Sequence, residues 1–294
     1  MVKERYEWRV TRKQAGMRLL QFLREVCPQA PSVKALKRAI DGKYCRVNGT
    51  LRIFSSYALE ENDCVALNPS AFDTVPVIKW SILYEDNSLL IINKPPGVVS
   101  TIPALRENAP CDIAPFQLAH RLDKETSGAL ILSKTVQAHK HCLELFKKRK
   151  IEKTYLALVD GKVSKEEGTI DNYLGKKGSY EGQSLYGAAA PGKGQRAVTQ
   201  WRCLARGKGV SLLCCQPITG RTHQLRVHLA GMGYPILGDC QYAKRFNCPY
   251  APSRNLLHSY SLFFPHPETG QTIQVTAPIP LDFKEAMVCL QVHL

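Results

Sequence analysis

The chain has 294 residues, 44% of them hydrophobic, which suffices for one large domain or a large domain beside a small one. A formal net charge of +15 points to a polyanionic partner, because Lys and Arg steer polyanions and gain from counterion release. No run of about 18 apolar residues occurs, Met1-Val2-Lys3-Glu4-Arg5 shows no apolar signal segment, and the 11 cysteines form no Cys-x-x-Cys pair; the expectation is a cytoplasmic, membrane-free protein with free thiols.

Residues 15–68 read as a small α+β unit. It opens on a helical pattern at Leu19, Leu20, Phe22 and Leu23. In the next helix Ser32 is the N-cap, Val33, Leu36, Ala39 and Ile40 share one face, and Gly42 suits the left-handed C-terminal position. Lys34, Lys37 and Arg38 fall opposite, where helical spacing alone leaves a solvated face and a binding face equally open. A strand over 44–47, the Asn48-Gly49 turn, a strand over 51–54 and another over 59–67 complete a hairpin-rich element. The pattern resembles the alpha-L RNA-binding module first seen in a ribosomal small-subunit protein, and the resemblance implies an RNA grip by Lys34, Lys37, Arg38 and Arg46. Leu20 departs from it, standing where that module often carries Asp.

Residues 69–79, with Pro69, Ser70, Asp73 and Pro76, have a linker composition. From 80 to 294, strand-like runs at 81–84, 89–92, 129–132, 155–159 and 210–215 alternate with few helices, which predicts an α+β domain with a mixed, mainly antiparallel central sheet. Thr135 caps a helix ending at Lys147-Lys148-Arg149-Lys150, cations that suit a helix C-terminus and an RNA contact alike. Residues 175–194, rich in Gly, Lys and Ser without an apolar period, read as an exposed flexible loop.

Three segments carry candidate chemistry. The polar run His120-Arg121-Leu122-Asp123-Lys124-Glu125-Thr126-Ser127-Gly128 feeds a buried apolar strand. An Asp there, flanked by Arg121 and Lys124, can be fixed by the backbone and kept ionised, although alone it is more often a turn or capping residue. Tyr155 sits in a central-strand pattern and alone reads as core packing. Gly220-Arg221-Thr222-His223-Gln224-Leu225-Arg226-Val227-His228 opens a helix capped by Thr222, with Leu225, Leu229 and Met232 inward and Arg221 free to reach a carboxylate bidentately. His223 and His228, five apart, fall on different faces and have no third ligand at metal-binding spacing, so a structural or hydrogen-bonding role is expected. Gly187-Ala188-Ala189-Ala190-Pro191-Gly192-Lys193-Gly194 imitates a phosphate loop, but Gly194 replaces the Ser or Thr that would hold magnesium and no apolar strand precedes it; no nucleotide cofactor is expected.

Together these segments resemble the RluA-type family of pseudouridine synthases over residues 81–294. The matches are the unbroken His-Arg-Leu-Asp-x-x-Thr-Ser-Gly, Asn93-Lys94-Pro95-Pro96-Gly97, the Arg221 to His228 run, Leu257-His258 and Phe264-Pro265-His266-Pro267. The resemblance implies that Asp123 is the catalytic aspartate, Tyr155 the active-site tyrosine and Arg221 the arginine paired with the aspartate. Arg121, beside Asp123, is expected to contact the RNA backbone or fill the vacated base stack. The implied reaction converts uridine to pseudouridine in RNA, large-subunit ribosomal RNA foremost, in a monomer, with no cofactor or metal required. The target uridine is expected to be flipped out of folded RNA. Attack of Asp123 at the anomeric carbon, elimination to a glycal and addition to uracil all remain open, and all need an ionised carboxylate. The rival reading is a non-catalytic RNA-binding or ribosome-assembly factor on the same fold, against which the intact Asp123, Tyr155 and Arg221 count.

Overall fold

The computed structural model describes residues 5–42, 44–52, 55–72, 80–107, 109–180, 183–243 and 245–293, with the side chains of Lys34, Tyr180 and Gln183 excepted. Its contacts divide the chain into two units, Met1–Pro76 with Lys177–Leu185, and Val77–Lys176 with Tyr186–Leu294.

The first unit contains β1 (Tyr6–Arg9), α1 (Leu19–Val26), α2 (Val33–Asp41), β2 (Cys45–Val47), β3 (Thr50–Leu51) and β4 (Cys64–Leu67). Its sheet runs β1-β4-β2-β3, so the unit starts upstream of residue 15. Phe22, Leu23, Leu36, Ile40, Val47 and Leu67 fill the core. Ser32 caps α2 by accepting the Ala35 N–H at 3.1 Å, whereas Val33, in the first turn, is exposed. Gly42 is not left-handed, with φ −84°. It is glycine for space, because a Cβ there would meet the Arg38 carbonyl and the Tyr44 ring at 3.0 Å. Asn48 and Gly49 both have positive φ, 50° and 76°, as a two-residue hairpin turn requires. The strand expected over 59–67 is confined to β4, because a turn at Asn62 (φ 70°) interrupts it and Asp63 accepts the Glu60 N–H at 2.8 Å. Pro69–Phe72, read as linker, forms a 3₁₀ turn with Pro69 and Ala71 buried, and residues 73–79 lie outside the described residues. Lys37 and Arg38 are exposed on α2, Arg46 donates to the Gly49 carbonyl at 2.7 Å, and the Lys34 side chain lies outside the described residues.

The remaining elements are β5 (Ser81–Glu85), β6 (Leu89–Lys94), α3 (Ile102–Arg106), β7 (Gln117–Leu118), β8 (Ser127–Ser133), α4 (Val136–Lys147), β9 (Glu152–Asp160), β10 (Glu167–Tyr180), β11 (Gln183–Ala189), β12 (Gln195–Arg206), β13 (Val210–Pro217), α5 (Gln224–Gly231), β14 (Leu257–Pro265), β15 (Thr272–Thr276) and α6 (Leu281–Cys289). The sheet runs β11-β10-β12-β13-β9-β14-β8-β6-β5, with β15 on β14 and β7 on β8. Among the described residues its pairings are antiparallel except where β14 runs parallel to β8. Apolar runs such as Leu89 to Ile92 and Ala129 to Leu132 are buried throughout, because layers cover both faces. At the parallel pair the backbones come so close that a Cβ on Gly128, at φ 111°, would stand 2.1 Å from the Ser259 carbonyl oxygen. Only glycine fits there.

The described residues of 175–194 do not form the flexible loop expected of them. They carry the end of β10 and all of β11, a two-stranded ribbon. Apolar alternation is absent because little of this ribbon is buried on either face; backbone pairing supplies its order. Gly175 and Gly194 serve close packing, since a Cβ on them would lie 3.0 Å from the Lys193 oxygen and 2.7 Å from the Leu174 oxygen.

Candidate active site

Asp123 stands in the turn that delivers the chain into β8, and the Thr126 N–H closes that turn on the Asp123 carbonyl at 3.1 Å. The loop after β6 grips it from both sides. Ser100 Oγ donates to the Leu122 carbonyl at 2.8 Å and accepts the Leu122 N–H at 3.0 Å. On the far side the Gly97 N–H donates to the Lys124 carbonyl at 2.8 Å. Lys94, fully buried, donates to the carbonyls of Pro95 and Val98 at 2.8 Å and of Lys124 at 3.2 Å. Burial, with the Arg254 charge, pushes Lys94 down to about 7, while three carbonyl acceptors match the three N–H donors of its charged form. His120 accepts the Ile131 N–H at 3.1 Å and burial pushes it down to about 3, so this histidine is a neutral strut. The motif therefore immobilises one carboxylate.

Arg226, on α5, is the cation on that carboxylate. Its Nη1 lies 3.4 Å from Asp123 Oδ2, while Nε and Nη2 fork onto Asp239 at 2.6 and 2.8 Å and Nη2 also reaches Gln241 at 2.8 Å. The expectation that Arg221 makes this pair is corrected. Arg221 is exposed, and its Nε donates to the Arg196 carbonyl at 3.1 Å. Gln224 produces this separation. Its Oε1 accepts the Arg221 N–H at 3.0 Å and the Thr219 hydroxyl at 2.6 Å, and its Nε2 donates to Val198 and Thr199 on β12 at 2.9 Å. The turn is thereby pinned with Arg221 at the cleft rim and Arg226 inside.

The cap differs from expectation too. His223, not Thr222, is the N-cap of α5, at φ 56° and without a side-chain cap bond. The left-handed backbone turns its ring into the site, where Nε2 lies 3.9 Å from Asp123 Oδ1 and Nδ1 lies 2.7 Å from the Tyr242 hydroxyl. Tyr242's oxygen accepts the Tyr186 N–H at 3.1 Å, leaving its own proton for Nδ1. A neutral His223 then carries its proton on Nε2, toward Asp123, and burial, against the pull of Asp123, lowers its pKa and favours that neutral form. His228 is structural, as expected, bonded to Thr199 at 2.9 Å and Asn172 at 3.0 Å.

Tyr155 is the buried side chain of β9 at this cleft. Burial, opposed by a hydrogen bond with Ser259 and reinforced by the Asp123 charge, pushes its phenol up to about 12. Asp123, Tyr155, Arg226, His223, Arg121 and Arg221 line one cleft of about 600 Å³, large enough for a nucleoside.

The family model described as RNA pseudouridylate synthase matches residues 88–231, a span containing Asp123, Tyr155 and Arg226. An uncharacterised RNA pseudouridine synthase of Bacillus subtilis is 31% identical, over 81% of this chain and 83% of its own length. The chain belongs to the RluA-type family of RNA pseudouridine synthases. A ribosomal large subunit pseudouridine synthase C of Pasteurella multocida is 30% identical over 96% of this chain and 93% of its own. The solved human RNA pseudouridylate synthase domain containing 1 aligns with a TM-score of 0.62 and 28% identity, covering 75% of this chain and 91% of that one. As a pseudouridine synthase the chain is an enzyme, and the rival reading of a non-catalytic binder falls. Of the three site residues expected for the synthase, the cleft brings Asp123 and Tyr155 together and keeps Arg221 at its edge. Arg226 and His223 take the places on the carboxylate.

Proposed function

We propose that this synthase converts uridines of large-subunit ribosomal RNA to pseudouridine, with Asp123 as nucleophile on a uridine flipped out of the RNA. The observation that carries the reading is the single carboxylate that lines the cleft among the described residues, Asp123, held between Arg226 and His223 beside a buried tyrosine. The names of relatives such as the Pasteurella enzyme support the choice of ribosomal RNA.

The reaction breaks the bond between N1 of uracil and the ribose, turns the base and joins C5 to the same ribose carbon; a proton leaves C5 and one arrives at N1. An ionised carboxylate serves any of the three routes, as a nucleophile that holds the ribose or the base or as the base that promotes elimination. Arg226 engages Oδ2 and His223 faces Oδ1, so the carboxylate is directed before substrate arrives. Tyr155 offers its ring for stacking on the extruded base. At rest its hydroxyl keeps its proton, since burial and the Asp123 charge hold it near 12. Once Asp123 becomes an ester its charge is gone, one of the two influences raising the tyrosine's pKa disappears, and the phenol can more readily give its proton to N1 and, as phenolate, accept the one that leaves C5. A flipped uridine costs a few kcal/mol of unstacking, which Arg121 and the other rim cations offset through phosphate contacts. In the first unit, the alpha-L resemblance and the exposed Lys37 and Arg38 support a second RNA contact.

Mapping pseudouridines in large-subunit ribosomal RNA from cells with and without the gene tests this assignment. The expected result is one or more positions lost with the gene and restored by the wild-type chain but not by Asp123→Asn. An unchanged map would overturn ribosomal RNA as the substrate.

A further inference from the structure

We propose that Lys153 is an RNA-phosphate ligand inside the cleft, holding a phosphodiester next to the uridine whose base lies on Tyr155. The inference rests on the reading above that the cleft takes RNA. Strand alternation puts Lys153 and Tyr155, two residues apart on β9, on the same face, and both line the cleft. Lys153 Nζ lies 5.9 Å from the centre of the Phe146 ring and 3.8 Å from where a Cβ on Gly220 would stand. It therefore sits between the end of α4 and the turn before α5.

No hydrogen bond or ion pair engages this ammonium among the described residues, although Lys94 holds three carbonyls and Lys134 pairs with Glu85 at 2.6 Å. An ammonium held partly out of water without a partner lowers stability. That cost is recovered when an anion arrives. Among the described residues Asp123 is the sole acidic one lining the cleft, against Arg121, Lys147, Arg149, Lys153, Arg221 and Arg226, and it is already paired with Arg226. An incoming anion is thus drawn to Lys153, and the anion that arrives with a flipped uridine is its own or the adjoining phosphodiester.

Burial also pushes Lys153 down to about 8. The titratable and charged groups that line the cleft with it are His120, Arg121 and Asp123 from the turn before β8, Lys147 and Arg149 from the end of α4, Tyr155 on its own strand, and Arg221, His223 and Arg226 from α5 and its preceding turn. His120 at about 3 and Tyr155 at about 12 do not change charge just above neutrality, nor do the arginines, and the lowered His223 is already neutral there. Deprotonation of Lys153 therefore predicts loss of RNA affinity as pH rises through about 8.

The test measures binding of the full chain to a fluorescent oligouridylate of about twelve nucleotides, across salt and from pH 7 to roughly 8.5, below the ionisation of uracil itself, together with thermal unfolding. Binding needs no turnover, so failure of the catalytic reading and failure of this one are distinguishable. Lys153→Met is expected to weaken binding about tenfold and reduce the salt slope by about 0.7, the value for neutralising one phosphate on a single strand. Its Tm should stay level or rise, because an unpartnered charge has been removed. Lys153→Arg should restore binding and abolish the alkaline loss. An unchanged affinity and salt slope in Lys153→Met, a Tm lowered by several degrees, or an alkaline loss that persists in Lys153→Arg would each overturn the proposal.

Discussion

Replacing Arg226 with Lys keeps the charge and removes the fork. In the wild type three nitrogens serve two carboxylates: Nε and Nη2 hold Asp239 at 2.6 and 2.8 Å, and Nη1 approaches Asp123 at 3.4 Å. An ammonium has one nitrogen, and it should stay with Asp239, which is 2% exposed, because an unpaired buried carboxylate costs about 3–5 kcal/mol. Asp123, whose side chain is 20% exposed, then loses its direct partner. At 3.4 Å the gross attraction is about 5 kcal/mol at an effective dielectric of about 20. Misdirecting a reacting group by an ångström slows a reaction about a hundredfold, or about 2.7 kcal/mol, well within that attraction. The expectation is a single-turnover rate at saturating RNA down about 100- to 1000-fold, with the fold kept and RNA affinity changed little. Arg221→Gln should act on KM instead. Stopped or quenched tritium release from RNA labelled at C5 of uridine gives the rate, and thermal unfolding gives the fold. Near-wild-type turnover in Arg226→Lys, or a larger rate loss in Arg221→Gln, would refute the reassignment of the aspartate's partner.

Tyr155→Phe should lower kcat with little change in KM, whereas Tyr155→Leu should also raise KM by roughly 5- to 150-fold through loss of stacking worth about 1–3 kcal/mol; equal KM values for the two would remove the ring from substrate binding. His120, His228 and His258 have folded pKa values of about 3, 4 and 4 against an ordinary 6.5, so between about pH 4 and 6.5 the unfolded chain binds protons that the folded chain does not. Stability should therefore rise with pH across that window and fall on acidification, by about 1.4 kcal/mol per pH unit per histidine, and a flat denaturation midpoint over that window would contradict their buried neutral state. Charge reversal of Lys37 and Arg38 together should weaken RNA binding and reduce its salt slope by about 1 for each phosphate no longer neutralised; filter binding at several salt concentrations with no change would remove the first unit from RNA recognition.

The sheet was legible wherever strands are buried on both faces, because uninterrupted runs such as Leu89 to Ile92 have no other use. The β10–β11 ribbon escaped because its order comes from backbone pairing rather than from an apolar period. Asp123 was readable through its motif, since the turn, the apolar strand and Gly128 are local in sequence and all serve to fix it. Its partner was harder to read, because Arg221 and Arg226 share one motif and only the phase of α5 separates them. A signal did exist: Arg226 stands among Leu225, Val227 and Leu229, and an arginine in apolar surroundings on a short helix needs a buried carboxylate. His223 gave no such signal, as its position depends on a left-handed N-cap that residue type does not announce.

Asp123 as nucleophile is the central claim, and release of tritium from C5-labelled uridine RNA measures it most directly, because forming the new carbon–carbon bond expels that hydrogen to water. Wild-type protein should release tritium in proportion to the pseudouridine formed, and Asp123→Asn, which keeps the side chain's shape and loses its charge, should bind the RNA and release none above background. Equal release by Asp123→Asn and wild type would contradict the account.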